Sequence, residues 1–413
     1  MQDTELYRQV LGLEKPWRVS RVELNPKEER VDVWAEHNDD SWPCPDCGKK
    51  LSVYDHAEER SWRHLDTCQF KTFLRARPPR VNCPEHGVKQ VRLAWAEPRS
   101  RFTAMFERFG IDVLLRTDVT GAKKILRISW DEAWHIQQRA VARGLAAKKS
   151  RIHSHLGVDE KSFAKRHNYM TLVCDLDEGT VEHVADERTT ESLSSYFKGL
   201  SPAQLAGIEA IALDMWDPFI KAIRLNVPGW EEKLVFDRFH VMKNIGHAVD
   251  LVRRKEHREL VAEGDETLAR SRYLWLYGKE NVPESHRVHF RELRNSKLRT
   301  ARAWAIKESL RELWRYRTLR WAELHWKRWF GWATRSRLTP IVKAAQTVKN
   351  HLRGILAYFA HRVSNATAEG INSKIQTIKK RAYGFRNRGN FKTAIFFHCG
   401  GLQLYPATHG VPG

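Results

Sequence analysis

Two aspartates that follow short apolar runs are the residues of this chain best placed to do chemistry. In Ile208-Glu209-Ala210-Ile211-Ala212-Leu213-Asp214, the apolar positions read as a buried strand that delivers a carboxylate just before Pro218 opens a helix. Leu156-Gly157-Val158-Asp159 has the same form 55 residues earlier. An acid at a C-terminal strand end is held by rigid backbone where a sheet meets solvent, which is where ligands bind in open α/β sheets. Side by side, Asp159 and Asp214 would offer the hard anionic oxygens that Mg²⁺, or Mn²⁺, prefers. Glu369 offers a third. It shares a helical face with Asn372, Ser373 and Gln376, while Ile371, Ile375 and Ile378 form a buried face. Three carboxylates around two such ions perform in-line displacement at phosphorus and need no Ser or Cys nucleophile. Other acids nearby (Glu160, Asp175, Asp177, Asp217) read as capping or surface residues, and Cys174 as core.

The elements that must carry these acids can be read from periodicity. Strands are expected at Ile152–Asp159, Tyr169–Leu176, Thr180–Ala185, Ile208–Asp214 and Lys233–Asp237, with helices at Thr190–Lys198 and Pro218–Leu225. The order β-β-β-α-β-α-β is the signature of a ribonuclease-H-like fold, whose first and fourth strands are neighbours. That topology would bring Asp159 and Asp214 together.

Two further modules precede this core. Cys44-Pro-Asp-Cys47-Gly and Cys83-Pro-Glu-His86-Gly are matched knuckles, each a ligand pair followed by glycine. Cys44, Cys47, Cys83 and His86 would close a tetrahedral structural Zn²⁺ site, with His56, His64 and Cys68 as bystanders. Residues 102–148 are helical. After a helix from Thr120, Ser129 with Glu132 three residues on marks a new helix start, giving helix-turn-helix form. Asp131, His135, Gln138 and Arg139 are its candidate base readers.

Charge points the same way. The 413-residue chain carries a formal +21, which calls for a polyanionic partner, nucleic acid first. Between Arg287 and Arg353 there are eighteen Lys/Arg against four Asp/Glu, and six of the sixteen tryptophans. Most of these tryptophans read as helical core, one or two as base-stacking platforms, and the charge as a DNA-backbone surface. Lys379, Lys380 and Arg381 add phosphate-binding candidates. Six cysteines make no disulfide scaffold. No run approaches the ~20 apolar residues of a membrane span, and no secretion signal opens the chain. A cytoplasmic, nucleoid-associated prokaryotic protein without a membrane partner is expected.

The chain resembles the DDE insertion-sequence transposases of the ISL-three family. The likeness is carried by the knuckles, the helix-turn-helix around Val119–Gly144, Gly157-Val-Asp159-Glu160, Leu213-Asp214-Met215, Phe236-Asp-Arg-Phe-His240, Ser364-Asn-Ala366 through Glu369-Gly370, and Ala382-Tyr-Gly-Phe-Arg-Asn387. One departure is His86, where the family more often has cysteine. The resemblance implies catalytic roles for Asp159, Asp214 and Glu369, with His240 supporting at the scissile region. It implies an enzyme that binds terminal inverted repeats, cleaves DNA and transfers strands, acting on double-stranded DNA as a homodimer or higher homo-oligomer. A structure-specific nuclease or resolvase of the same fold, or a non-catalytic DNA-binding regulator, is the alternative. The expected architecture is multidomain α+β: a flanking segment (1–40), zinc ribbon (41–98), helix-turn-helix domain (99–150), and a ribonuclease-H-like α/β core (151–244 and 346–413) interrupted by an all-helical basic insertion (245–345).

Overall fold

The structure is a computed structural model that describes residues 2–164 and 168–407. It is a mixed α+β chain with the two cysteine knuckles near its N-terminus and a helical C-terminal part. Two compact units emerge: residues 1–149 with 378–385 and 389–413, and residues 150–377 with 386–388.

In the first unit, helix α1 (Asp3–Val10) precedes eight strands: β1 (Trp17–Asn25), β2 (Arg30–His37), β3 (Ser41–Pro43), β4 (Lys50–His56), β5 (Arg60–Arg63), β6 (Lys71–Ala76), β7 (Pro79–Cys83) and β8 (Gly87–Gln90). They form two four-stranded sheets, ordered β1-β2-β6-β5 and β3-β4-β7-β8. Alternating burial along β2 and β6 aims Val31, Val33, Leu74 and Ala76 into one core with Trp17, Trp62 and Trp95. The parallel β2–β6 pairing crosses residue 40, so the flanking segment and the ribbon share a sheet.

Helices α2 (Ala104–Arg116), α3 (Val119–Leu126) and α4 (Trp130–Ala147) follow, and each is capped by a side chain. Thr103, Asp118 and Ser129 accept from the otherwise orphaned N–H groups of the first turns. Ser129 and Glu132 cap reciprocally, as their spacing predicts. Between α3 and α4 the chain turns in three residues, with Arg127 in the left-handed region. Ser129→Ala should therefore cost about 1 kcal/mol of this unit's stability. An unchanged denaturation midpoint would show that the α4 start is held by other contacts.

The second unit holds a five-stranded sheet made of β9 (His155–Ala164), β10 (Asn168–Asp175), β11 (Thr180–Asp186), β12 (Ala210–Leu213) and β13 (Leu234–Phe236). Its order is β11-β10-β9-β12-β13, with β9, β10 and β11 antiparallel and β12 parallel to both β9 and β13. Helices α5 (Thr190–Lys198), α6 (Pro202–Gly207), α7 (Asp217–Asn226) and α8 (Trp230–Lys233) make the crossovers that parallel pairing requires. The helical part follows: α9 (Arg238–Ala262), α10 (Arg272–Leu276), α11 (Arg287–Asn295), α12 (Arg299–Arg311), α13 (Leu319–Thr334), α14 (Thr339–Asn350), α15 (Leu352–His361) and α16 (Ala366–Arg381). The last helix, α17 (Arg388–Cys399), lies mostly in the first unit, where Phe397 joins the core of α2, α3 and α4.

One apolar core runs from Leu156, Ile211 and Phe236 in the sheet to Trp275, Trp304 and Trp329 in the helices. Four of the six tryptophans between Arg287 and Arg353 are buried, whereas Trp321 and Trp332 are exposed. Part of the local charge is consumed internally. Arg253 pairs with buried Asp250, and buried Lys307 donates to the carbonyls of Trp275, Leu276 and Tyr277, its pKa lowered to about 8 by burial. No helix of the described residues is long and apolar enough to cross a membrane.

Candidate functional site

The parallel β9–β12 pairing ends at Gly157 and Ala212, and β12 itself ends at Leu213. Asp159 and Asp214 therefore emerge at the edge where these neighbouring strands part. Asp159 does not end its strand as the apolar run predicts. β9 continues to Ala164 because β10 pairs with it past that point, Leu172 opposite Asp159 and Thr171 opposite Glu160. Only the β12 side of β9 is released, after Gly157, and Asp159 lies on the released stretch.

Asp237 follows β13 as Asp214 follows β12, and its N–H donates to the Leu213 carbonyl at 2.9 Å. Its carboxylate is spent as a cap, accepting from Phe239 N at 2.6 Å. The cap starts α9 so that His240 falls in the first turn, with Nδ1 3.8 Å from Asp214 Oδ2. Burial raises the pKa of Asp214, with Glu160 and Asp159 adding to it and His240 opposing. Burial likewise raises Asp159, against His240 and the hydrogen bonds from Glu160 N and Asn372.

Glu369 sits in the first turn of α16, exposed to solvent. Its pKa is raised first by partial desolvation of the carboxyl and then by Asp237 and Asp159, while His240 again opposes. All three acids thus feel His240. Their oxygens do not all lie within 4.8 Å of one another; among the described residues, only the knuckle ligands and a His153/Asp175/Glu182 group do so. Glycine at 157 lets α16 approach β9. A Cβ there would lie 2.7 Å from Leu176, 2.9 Å from Asn365 Oδ1 and 3.1 Å from Ala368.

Three neighbours were not singled out from the sequence as site residues. Asn372, one helical turn past Glu369, donates through Nδ2 to Asp159 Oδ2, and Lys161 Nζ donates to the Asn372 carbonyl at 2.8 Å. Its i+3 spacing from Glu369 was a usable signal. Arg188 reaches Glu160 from the loop after β11, and nothing local marks it. At the other end of β9 and β10, His153 lies between Asp175 (2.8 Å) and Glu182 (3.3 Å), with Arg151 on Asp175 at 2.9 Å. This network accounts for Asp175 as a structural acid.

In the ribbon, Gly48 and Gly87 adopt φ of 76° and 69°, the left-handed turn that aims each ligand pair inward. Cys47 and Cys83 sulfurs lie 3.7 Å apart, and His86 Nδ1 lies 3.4 Å from Cys83 and 3.9 Å from Cys44. A tetrahedron with Zn–S arms of about 2.3 Å and Zn–N arms of about 2.0–2.1 Å has edges of roughly 3.5–3.8 Å. The donor set therefore fits zinc. The hydrogen bond with His86 lowers the Cys83 pKa to about 6, toward the thiolate a metal needs. His64 lies apart, buried against Thr103, its pKa lowered to about 4 by burial.

On α4, Asp131, His135 and Gln138 are exposed. Arg139 is not. Its Nε donates to buried Glu107 at 3.2 Å and its guanidinium lies over the Phe102 ring, because the 3.6-residue period turns it toward α2. That ion pair ties α4 to α2. Lys380 and Arg381 are exposed at the end of α16, and Lys379 is half-buried.

Comparison with known proteins identifies the family. A family profile of DDE transposases of the ISL3 type, described as transposase, matches residues 156–395. A second, described as the zinc-finger of transposase IS204/IS1001/IS1096/IS1165, matches residues 40–86. The transposase for insertion sequence element IS1001 of Bordetella parapertussis is 26% identical over 352 residues, 84% of this chain and 86% of that protein. The transposase for insertion sequence element IS1557 of Mycobacterium tuberculosis is 27% identical over an alignment covering 100% of this chain and 99% of that one. With more than half of its length matched by the profile, the chain belongs to the ISL3 family of insertion-sequence transposases.

Proposed function

We propose that this protein binds the terminal inverted repeats of its insertion sequence and carries out Mg²⁺-dependent DNA strand cleavage and strand transfer in a ribonuclease-H-like core. The observation that carries this reading is the exit of Asp159 and Asp214 from adjacent parallel strands at one sheet edge, with His240 3.8 Å from Asp214. The strand order β11-β10-β9-β12-β13, three antiparallel strands followed by two parallel ones, supports the fold assignment.

Asp159, Asp214 and Glu369 are the residues that would hold divalent ions. Crowded acids with raised pKa values suit that role, because a hard dication relieves their mutual repulsion. When bound, such ions activate the attacking oxygen and stabilise the leaving one. The chain's own residues set the frame. Asn372 orients Asp159 through its hydrogen bond, Gly157 admits α16, and the Asp237 cap holds His240 facing the pocket and the scissile region. The test is a labelled duplex carrying the element's terminal sequence, incubated with protein, Mg²⁺ and target plasmid. Nicking that leaves a 3′-hydroxyl and its joining to the plasmid are expected; neither reaction with paired ends in Mg²⁺ or Mn²⁺ would sink the reading.

Helices α3 and α4 act as a helix-turn-helix, with Asp131, His135 and Gln138 toward the major groove, and the ribbon assists end recognition. Lys379, Lys380 and Arg381 bind phosphate, and two chains act together because two ends must be cut. The enzyme works on chromosomal DNA in a prokaryotic cytoplasm. Gln138→Ala should weaken binding to the terminal sequence by about 1–3 kcal/mol and relax specificity at one position. Arg381→Ala should weaken all sequences alike and lower the salt slope by about 1. Equal losses on terminal and random duplex for both variants would refute this division.

A further inference from the structure

Arg188 lies in the turn between β11 and α5, and its surroundings tie together the segments that carry Asp159 and Asp214. Its Nη1 donates to Glu160 Oε2 at 2.7 Å, and Glu160 directly follows Asp159. The guanidinium lies 4.5 Å from the ring centre of Tyr169 and 4.4 Å from that of Trp216. Trp216, two residues past Asp214, is anchored in turn by donating its indole N–H to the Arg188 carbonyl at 3.2 Å. Arg188 also acts on Asp214 by its charge. Its side chain nevertheless keeps 31% of its surface exposed.

An arginine that only neutralised Glu160 would need no aromatic ring near its guanidinium. Two rings beside the guanidinium restrain its plane, and only one of its nitrogens is given to Glu160, so the exposed part of the group keeps N–H donors for an oxyanion. The pocket also needs such a group. Asp159, Glu160, Asp214, Asp237 and Glu369 repel a polyanionic strand, and a fixed cation on the rim offsets that repulsion where the strand must enter. Lysine could supply the charge but neither the fork nor the stacking.

We propose that Arg188 is a catalytic residue that binds a backbone phosphate of the DNA strand entering the Asp159/Asp214 pocket, adjacent to the linkage being cut. This rests on the reading of that pocket as the site of strand cleavage. Tyr169, Trp216 and Glu160 then serve as positioning residues.

The test uses the full chain and duplexes carrying the element's terminal sequence, with single methylphosphonates placed in turn at each phosphate flanking the cleavage position. Arg188→Ala and Arg188→Lys should bind ends only slightly more weakly than the wild type, as loss of one phosphate contact among many requires, and cut on the order of 100-fold more slowly. At one position the neutral linkage should slow the wild type comparably and slow Arg188→Ala no further, because the partner is already gone. If Arg188→Ala does not fold, Arg188→Lys carries the same comparison. Every methylphosphonate slowing wild type and variant by the same factor would overturn the proposal, as would wild-type cutting by Arg188→Lys. Asp214→Asn separates the two claims. If it still cuts, the pocket reading fails and takes Arg188 with it; if it is inactive while the methylphosphonate effects are merely additive, only the Arg188 assignment fails.

Discussion

Replacing Asp214 by asparagine is expected to abolish cleavage and joining, to leave end binding intact, and to raise the melting temperature of the metal-free chain at neutral pH. The loss of activity should exceed about 1,000-fold, equivalent to about 4 kcal/mol of barrier, because a metal-holding carboxylate acts where charge develops. The gain in stability has a separate cause. Burial, Glu160 and Asp159 raise the pKa of Asp214, so the folded state holds its proton more tightly than the unfolded chain. That contribution to stability is fully present below the ordinary carboxylate value of about 4 and is lost as pH rises through the raised one. Above the raised value the group is an ionised carboxylate that folding disfavours. Asparagine removes the charge, so the stabilisation should appear at pH 7 in chelator and vanish near pH 4. Thermal denaturation at both pH values, beside a nicking assay and a gel shift, reads the whole prediction. Residual cleavage near the wild-type rate would remove Asp214 from the mechanism. A lower melting temperature at pH 7 would show that its pairing with His240 outweighs the burial.

The zinc cluster carries the second large effect. The core around the knuckles is small, with Cys44, Val81, Cys83 and Val91 as its buried members, and two of these are the knuckle cysteines themselves. Apolar burial on that scale cannot hold the sheet β3-β4-β7-β8 alone, and metal binding worth about 10–16 kcal/mol in zinc-finger peptides can. Protein purified without chelator should contain one zinc per chain. Cys83→Ser should lose the zinc and expose the strands of that sheet, residues 41–56 and 79–90, to protease, while the second unit keeps its melting transition. End binding should fall with the ribbon. A zinc-free preparation whose ribbon resists protease as well as the wild type would overturn this assignment.

Local signals carried much of the fold. The helix start at Ser129 and Glu132 was legible because a capping box is decided within four residues. The strands of the second unit were legible because β-branched and apolar runs ended at turn residues, although β9 outlasted its apolar run by following β10 past Asp159. The parallel union of β2 with β6 was not legible, since nothing near either strand names a partner dozens of residues away. Net charge misled in one respect. It counted Lys307 toward a DNA surface, while the fold spends it on three carbonyls.

The sequence by itself determined the chemistry on offer: hard carboxylates after short apolar runs, soft and borderline ligands in matched knuckles, and an acid on a helix face. Residue type and short spacing suffice for that, because they set which atoms a segment can present and in which direction. Tertiary structure alone decided which groups meet. It turned Arg139 inward to Glu107, placed Asn372 on Asp159, set His240 where three acids feel it, and packed Arg188 against Tyr169 and Trp216. Each of these contacts closes a long loop, and its geometry follows from how strands pair and helices pack rather than from any neighbouring residue.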